Sequence, residues 1–222
     1  IDHANASSLY VKLFLTYSDL HIIISDNGSG LFGNIKAKLG LSNTQLAAIE
    51  IAKGQITTSP LHHSGDALNT IFHLYDRVKI DSSGFGIIYD SKNMKWEIDY
   101  SKQKQGTRVH LQINPNSERT IEKIFQKLFN QQKDSYRIPI NLIKDPSNNS
   151  LNSKLQAKSI FRKINYLKEI QFDFSHVDLI GPAFADELVR QSRLIDREVV
   201  INWVNSNETI DLLMKRALER IL

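Results

Sequence analysis

The order in which apolar periods follow one another along the chain restricts its fold more than any other feature. Residues 11–17 and 21–25 alternate or run apolar with β-branched side chains, as in two strands joined by a hairpin turn. A helical period follows at 44–52 and 67–78, and three more strand-like runs come after it, at 84–89, 94–100 and 107–113. This order predicts an α/β sandwich with helices on one face of a mostly antiparallel sheet.

Capping residues place the ends of the first predicted helix. Thr44 precedes the apolar residues of this helix and is suited to cap it, and Gly54 is suited to end it. Residues 55–66 are rich in Thr, Ser, His, Pro and Gly, which predicts a loop before the next helix begins near Ala67.

A second domain is predicted after an amphipathic helix at residues 118–129. The polar stretch 130–152 places the boundary near residue 132, which gives domains of residues 1–132 and 133–222. The apolar run 138–143 favours a strand. The rest of the tail alternates between helix and strand and predicts a small βαβ-like domain, with helices at 154–168, 184–195 and 208–221 and strands at 170–174 and 198–203.

Composition excludes several classes of protein. The chain has no cysteine, which excludes disulfides and thiolate metal sites, and no run reaches the roughly 20 apolar residues of a membrane span. We therefore expect a cytoplasmic protein without a membrane partner. The net charge of +4 is spread evenly, with 14 basic and 12 acidic residues both before and after residue 130, so neither half is a basic domain.

One basic cluster stands out in the tail, where Lys154, Lys158, Arg162, Lys163 and Lys168 lie in a stretch without acidic residues. Three of them recur at every fourth position and would share one helix face. This face is either solvated or a contact for nucleic acid or an acidic partner.

The sharpest local motif is an apolar strand that delivers Asp26 into a loop with Gly28 and Gly30. A carboxylate at a strand end can accept a hydrogen bond from the exocyclic amine of adenine, and glycines allow the backbone to approach the base. The same residues are also typical of an ordinary hairpin turn.

Two further elements follow in order. Residues 53–68 combine hydroxyl side chains, Lys53 and a glycine directly before a helix, where backbone N–H groups can bind phosphate. Gly106 and Thr107 then open the strand 108–113. With the Asp26 motif and these two elements in order, the sequence resembles the gyrase, chaperone, histidine kinase and mismatch-repair (GHKL) superfamily. The ATP-binding domain of that superfamily is an α/β sandwich of the Bergerat type.

This resemblance implies a site for ATP and Mg²⁺. Asp26 would hold the adenine amine with help from Thr107, and Gly28 and Gly30 would shape the base pocket. The lid around the phosphates would comprise Lys53, Thr57, Thr58, His63, Ser64 and Gly65. His63 follows another histidine, but adjacent histidines in a loop seldom form a metal site without further ligands.

The sequence departs from the superfamily pattern in two places. Ala67 stands where the superfamily prefers glycine, so the geometry of the lid is in doubt. Residues 1–4 resemble the end of the helix that carries the superfamily's catalytic Glu and its Mg²⁺-binding Asn. We therefore expect the catalytic residues before Ile1, in a longer protein, and a secondary contact from Asp2 to magnesium or ribose. Asp2 is otherwise a surface acid at a helix end.

A second resemblance covers residues 151–222. The segment 172–188, FDFSHVDLIGPAFADEL, is similar to a STAS-like domain of unknown function (DUF4325) and to the anti-anti-sigma STAS fold, in which a serine at the strand-to-helix turn is phosphorylated. Gly181 and Pro182 occupy that turn here and offer no hydroxyl. Asp186 and Glu187 are expected at the helix start, where its dipole favours acids, although a catalytic role is the alternative.

These features predict a regulatory protein in which ATP closes a lid and the STAS-like domain relays this change to an unidentified protein partner, in bacterial signalling or transcription. The alternatives are an ATPase or a serine protein kinase of the anti-sigma type, and a regulator that reaches DNA through a module before Ile1. A homodimer is also compatible with the sequence.

Overall fold

The computed structural model describes residues 4–54, 66–120, 123–124, 135–144, 150–161, 164 and 168–221. The side chains of residues 66, 67 and 135 are not described. The chain divides into two compact units, Ile1–Asn130 and Gln131–Leu222. The boundary predicted near residue 132 lies next to this division, and each unit is described by itself.

The first unit is built on a six-stranded antiparallel sheet with the order β1-β2-β6-β3-β4-β5. Its strands are β1 (Leu9–Leu15), β2 (Leu20–Asp26), β3 (Arg77–Ser82), β4 (Phe85–Asp90), β5 (Lys95–Tyr100) and β6 (Thr107–Ile113). Its helices are α1 (Leu31–Leu39), α2 (Thr44–Ala52) and α3 (Asp66–Leu74). The predicted α/β sandwich is therefore confirmed.

The helices cover one face of this sheet. Val78, Ile80 and Ile87 point to that face from the central strands and are completely buried. Helix α2 is buried almost all round, which its Ala47 and Ala48 allow because small side chains let neighbouring elements approach closely. Cross-strand packing of these apolar side chains holds the sheet and its helical layer together.

Strand β3 and helix α1 correct the prediction for the first unit. The helix predicted to reach Val78 ends at Leu74, because Val78 and Ile80 alternate with Lys79 and Asp81 in the two-residue period of a strand. Pairing with β4 and β6 on both sides fixes this strand. Helix α1 has only two buried residues, and its apolar period was too weak to be recognised.

The prediction that Thr44 caps α2 is wrong. Asn43, in an extended conformation, accepts a hydrogen bond from the Leu46 N–H at 3.0 Å through its side chain. Thr44 is the first helical residue instead. Asn and Thr are both good N-caps, and the backbone conformation decides between such neighbours.

The second unit contains a three-stranded parallel sheet, β7-β8-β9, as the alternating pattern of the tail predicts. Its strands are β7 (Ser135–Pro139), β8 (Glu169–Asp173) and β9 (Val200–Val204), and its helices are α4 (Lys154–Ile160), α5 (Pro182–Ile195) and α6 (Glu208–Ile221). The run 138–143 is a strand only as far as Pro139, and Ile140–Ile143 form a 3₁₀ turn. Most of the predicted helix 118–129 lies outside the described residues.

The start of α5 changes the explanation for its two acidic residues. Gly181 is the N-cap and Pro182 the first helical residue, so Asp186 and Glu187 lie in the second turn, beyond the reach of the helix dipole. Glu187 is buried and pairs with Arg190 at 2.6 Å, which lowers the pKa of the carboxyl group. Asp186 contacts Arg220 at 3.4 Å. Ion pairing therefore accounts for both residues.

Candidate functional site

The motif around Asp26 forms a tight loop between β2 and α1. Asp26 is the last residue of β2, and its Oδ1 atom accepts a hydrogen bond from the Gly28 N–H at 2.7 Å. Its other oxygen, Oδ2, accepts no hydrogen bond from the part of the chain that the structure describes. The carboxylate is half-buried, so one oxygen holds the loop and the other can accept a donor from a ligand.

The segment Gly106–Thr107 meets this loop directly. The Gly106 N–H donates to the Gly28 carbonyl at 2.9 Å. A Cβ atom on Gly106 would lie 1.9 Å from the Asp26 carbonyl oxygen, and its φ of +72° also favours glycine. Strands β2 and β6 pair up to Ser25 and Arg108, so the same register sets Asp26 opposite Thr107. Two motifs that are distant in sequence therefore form one site.

The hydroxyl of Thr107 supports the start of α1. Its Oγ1 atom accepts a hydrogen bond from the Leu31 N–H at 2.9 Å, where the N-cap residue Gly30 has no side chain to do so. A threonine hydroxyl has one proton to donate and two lone pairs. Since Oγ1 acts as an acceptor here, its proton remains available for an acceptor on a bound base.

The two glycines of the loop are required by close contacts within the protein. A Cβ atom on Gly28 would lie 2.0 Å from the carbonyl oxygen of Ala4, and one on Gly30 would lie 2.7 Å from the Ser82 hydroxyl. The sequence suggested that these glycines make room for a base. In the structure, each allows a close approach by another part of the chain.

Asn27 is a residue that sequence reasoning missed. Its Oδ1 atom accepts hydrogen bonds from the Ser7 and Ser8 N–H groups, both at 3.0 Å, and its Nδ2 atom donates to the Ser7 hydroxyl. The Ala4 carbonyl accepts a further bond from the Ser29 N–H at 2.7 Å. The segment before β1 is thus fastened to the loop, and only the preference of Asn for turns hinted at this role.

Lys53 lies at the end of α2 in a buried ion pair. Its Nζ atom is 2.7 Å from Glu50 Oε1, and the two side chains are only 4% and 9% exposed. Burial lowers the pKa of Lys53, and the charge and hydrogen bond of Glu50 raise it in part. Glu50 was not among the predicted residues, because a carboxylate in a helix usually faces solvent.

The remaining predicted lid residues, Thr57, Thr58, His63, Ser64 and Gly65, lie outside the described residues, as does Asp2. Helix α3 begins at Asp66, and a Cβ atom on Gly54 would lie 3.3 Å from the Asn69 side chain. The end of α2 therefore contacts the first turns of α3. Within the described residues, no three His, Asp or Glu side chains converge on a possible metal position.

The second unit has a buried carboxylate at the carboxyl end of its central strand. Asp173 accepts hydrogen bonds from Ser175, Asn205 and Arg137, with distances between 2.8 and 3.3 Å. Burial opposes its ionisation, but the hydrogen bonds from Asn205, Ser175 and Arg137 outweigh this effect and lower the pKa of Asp173. These bonds join the ends of all three strands of the sheet.

Comparison with known families classifies the second unit. Residues 156–211 match the family model described as a STAS-like domain of unknown function (DUF4325). The second unit contains a STAS-like domain. In this domain, the strand-to-helix turn that follows β8 carries Gly181 and Pro182, and Pro182 occupies the first helical position as its missing N–H predicts.

Two solved structures are similar to part of the chain. One is the topoisomerase IV ATP-binding domain of Francisella tularensis, with 17% identity, a TM-score of 0.29, and coverage of 56% of this chain and 36% of that one. The other is the 43K ATPase domain of Thermus thermophilus gyrase B, with 17% identity, a TM-score of 0.30, and coverage of 55% and 33%. This chain thus spans about a third of each.

No curated protein matches the chain. Within the described residues, none of the helices combines the length and the apolar character that crossing a bilayer requires.

Proposed function

We propose that the first unit is an ATP-binding domain of the GHKL type. The observation that supports this proposal most strongly is that Asp26 and Thr107 lie opposite each other on β2 and β6. They lie next to the hydrogen bond between the Gly106 N–H and the Gly28 carbonyl. The Oδ2 atom of Asp26, which accepts no hydrogen bond from the described residues, accepts one from the exocyclic amine of adenine. The Thr107 hydroxyl donates its proton to a ring nitrogen, either directly or through a water molecule.

The same pair accounts for a preference of adenine over guanine. Guanine has a carbonyl oxygen where adenine has its amine, so the Asp26 carboxylate would face an acceptor instead of a donor. A buried acceptor that loses its donor carries the cost of its desolvation, about 1–3 kcal/mol or more for a charged group. We therefore expect ATP to bind at least tenfold more tightly than GTP.

Lys53 is the described residue that we assign to the phosphate end of the nucleotide. It directly precedes Gly54 at the end of α2, and Gly54 lies close to the Asn69 side chain of α3. Its ammonium group is buried in the ion pair with Glu50, so Lys53 would have to leave this pair in order to contact a phosphate. The other lid residues keep the roles that the resemblance implies, as part of the same proposal.

We further propose that nucleotide binding changes how the STAS-like domain meets a protein partner. A ligand can shift such an equilibrium only if it binds the two states with different affinity. The absence of a hydroxyl at Gly181–Pro182 supports a conformational relay over phosphorylation at that turn. Mapping of phosphopeptides after incubation with ATP tests this idea. Phosphate on Ser175 would contradict a purely conformational relay.

Calorimetric titration with ATP and GTP tests the nucleotide site. Asp26→Asn removes the charge and directs an amide at the adenine amine, so we expect a loss of ATP affinity of about tenfold to a hundredfold, or 1.5–3 kcal/mol. Asp19→Asn, in the exposed turn between β1 and β2, is the matched control and should bind as the wild type does. Equal affinity for ATP and GTP, or an unchanged affinity in Asp26→Asn, would contradict the proposal.

A further inference from the structure

Strand β1 forms an open edge of the first sheet and is rich in exposed apolar side chains. Its one neighbour within the described residues is β2. Five of its seven side chains are large, apolar and between 49% and 68% exposed, namely Leu9, Tyr10, Val11, Leu13 and Leu15. Proteins usually shield such an edge with proline, bulges, charged side chains such as lysine, or a covering element, because it can pair with another strand. β1 carries one such charge, Lys12.

Among the described residues, no strand pairs with the outer side of the β1 backbone at any point along its length. Its register with β2 runs unbroken from Leu9 to Leu15, without a bulge or a proline. The Thr16 N–H donates to Asp19 at 2.8 Å, so the even-numbered residues of β1 direct their N–H and C=O groups to β2. The odd-numbered residues Leu9, Val11, Leu13 and Leu15 therefore direct theirs outwards.

The apolar face of the sheet continues onto this edge. In the register, one row comprises Leu13, Ile22, Leu111 and Val78, and the next comprises Val11, Ile24, Val109 and Ile80. Val78 and Ile80 are buried under the helices, but burial decreases along both rows until Val11 and Leu13 are exposed. A partner on the edge would extend a hydrophobic surface that is already the core of the unit.

The sequence of β1 is nearly symmetric about Lys12 in the types of its side chains. Val11 and Leu13 on either side are aliphatic, the next pair is aromatic, with Tyr10 and Phe14, and the outer pair is Leu9 and Leu15. An antiparallel strand of the same sequence, centred on Lys12, would set each residue opposite its own kind. This register also pairs odd residues with odd residues, so the outward N–H and C=O groups meet.

We propose that β1 pairs with β1 of a second copy of this chain, around a twofold axis at Lys12, and joins the two sheets into one. The interface is isologous, as in most homodimers, because each strand supplies the same surface. Tyr10 of one copy lies opposite Phe14 of the other, an aromatic pair of the kind that stabilises antiparallel strands. This dimer does not depend on the nucleotide site.

Lys12 sets the strength of the dimer. The two Lys12 side chains lie opposite each other, and like charges in that position weaken strand pairing. Each Nζ atom lies 5.0 Å from the centroid of its own Phe14 ring, an attractive contact for the ammonium group. We expect a reversible dimer that salt strengthens, because salt screens the repulsion between exposed charges.

Disulfide trapping tests the register of the proposed pair. The chain has no cysteine, so each single-cysteine variant has one reactive position. Residues on the axis form a non-hydrogen-bonded pair with Cα atoms about 4.5 Å apart, within the range of a disulfide. Lys12→Cys should therefore yield a covalent dimer under mild oxidation, whereas Tyr10→Cys, opposite Phe14, and the control Tyr17→Cys in the adjoining turn should not. Similar yields from all three variants, or none from Lys12→Cys, would overturn the register.

Sedimentation equilibrium of the 222-residue chain tests the surface independently. The wild type should move with rising concentration and salt from 25.4 kDa towards twice that mass. Leu13→Lys should weaken dimerisation at least tenfold, and Tyr17→Lys, which changes an equally apolar exposed side chain outside the strand, should not. Circular dichroism verifies that both variants are folded. A wild type that stays monomeric at all concentrations, or a Leu13→Lys dimer as strong as the wild type, would refute the proposal.

Discussion

Glu50 and Lys53 should be strongly coupled in the stability of the first unit. Both side chains are more than 90% buried and their charged atoms are 2.7 Å apart. Removal of one partner from a buried ion pair typically costs about 3–5 kcal/mol, because it leaves a desolvated charge in the core. We expect Glu50→Met and Lys53→Met each to lower the free energy of unfolding by about 3 kcal/mol. The double variant should lose much less than the sum, because apolar side chains of similar size can replace such a pair.

Urea unfolding of the wild type, the two single variants and the double variant measures this coupling. Trp96 is buried beside Phe72 and Tyr89, so in a Trp203→Phe background the tryptophan fluorescence reports on the first unit. The matched control is the exposed pair of Arg77 and Glu97, which lies at 3.6 Å and should couple by less than about 1 kcal/mol. Additive effects within about 0.5 kcal/mol for Glu50 and Lys53 would refute the reasoning.

The pH dependence gives a second readout of the same pair. Burial lowers the pKa of Lys53 in the folded state below its usual value near 10.5. In the pH range between the folded and the unfolded pKa, the unfolded chain therefore binds more protons than the folded chain. Stability from this group must therefore rise as the pH rises through that window. Glu50→Met removes the contribution that raises the pKa, so the rise should begin at a lower pH, and Lys53→Met should abolish it. Identical pH profiles for all variants would contradict this assignment.

Three further predictions concern single positions. Gly106→Ala should destabilise the first unit severely, because its Cβ atom would lie 1.9 Å from a backbone oxygen, whereas Gly84→Ala, with a similar positive φ and nothing within 4 Å, should cost only about 1–2 kcal/mol in thermal unfolding. Thr107→Val should cost about 1 kcal/mol through loss of the hydrogen bond at the start of α1 and should weaken ATP binding, and Thr107→Ser should restore both in calorimetry. Asp173 has a lowered pKa, so its stabilising contribution should be present above its usual pKa near 3.8 and lost as the pH falls through the folded value. Asp173→Asn should remove this part of the acid transition, and an unchanged acid-unfolding curve would contradict the role of that carboxylate.

Local sequence patterns were sufficient to predict most elements of the fold. The two-residue period identified β1, β2 and the strands after residue 84, and the alternation of the tail identified the small parallel domain. The errors lay where the local signal was ambiguous. Val78 fits either a helical or a strand period, and only its pairing with Leu111 and Tyr89 on neighbouring strands decides between them.

The residue types of the candidate site are present in the sequence, where a carboxylate at a strand end precedes glycines in a loop, although the same pattern is also typical of a hairpin turn. Asp26, Gly28 and Gly30 belong to that motif, and the role of Thr107 is implied by the resemblance to the GHKL superfamily. Their mutual arrangement depends on the register of β2 against β6 and on the contact between Gly28 and Gly106, which no local pattern specifies.

Contacts between distant residues were decided by the tertiary structure alone. Asn27 forms hydrogen bonds with residues 7 and 8 and so holds them to the glycine loop. Position 28 must be glycine because the Ala4 carbonyl leaves no room for a Cβ atom. Glu50 forms an ion pair with Lys53 inside the core. Each of these depends on which backbone or side chain comes close in space. A sequence determines the period and the chemistry of each segment, but burial and hydrogen-bond partners arise only when the segments pack together.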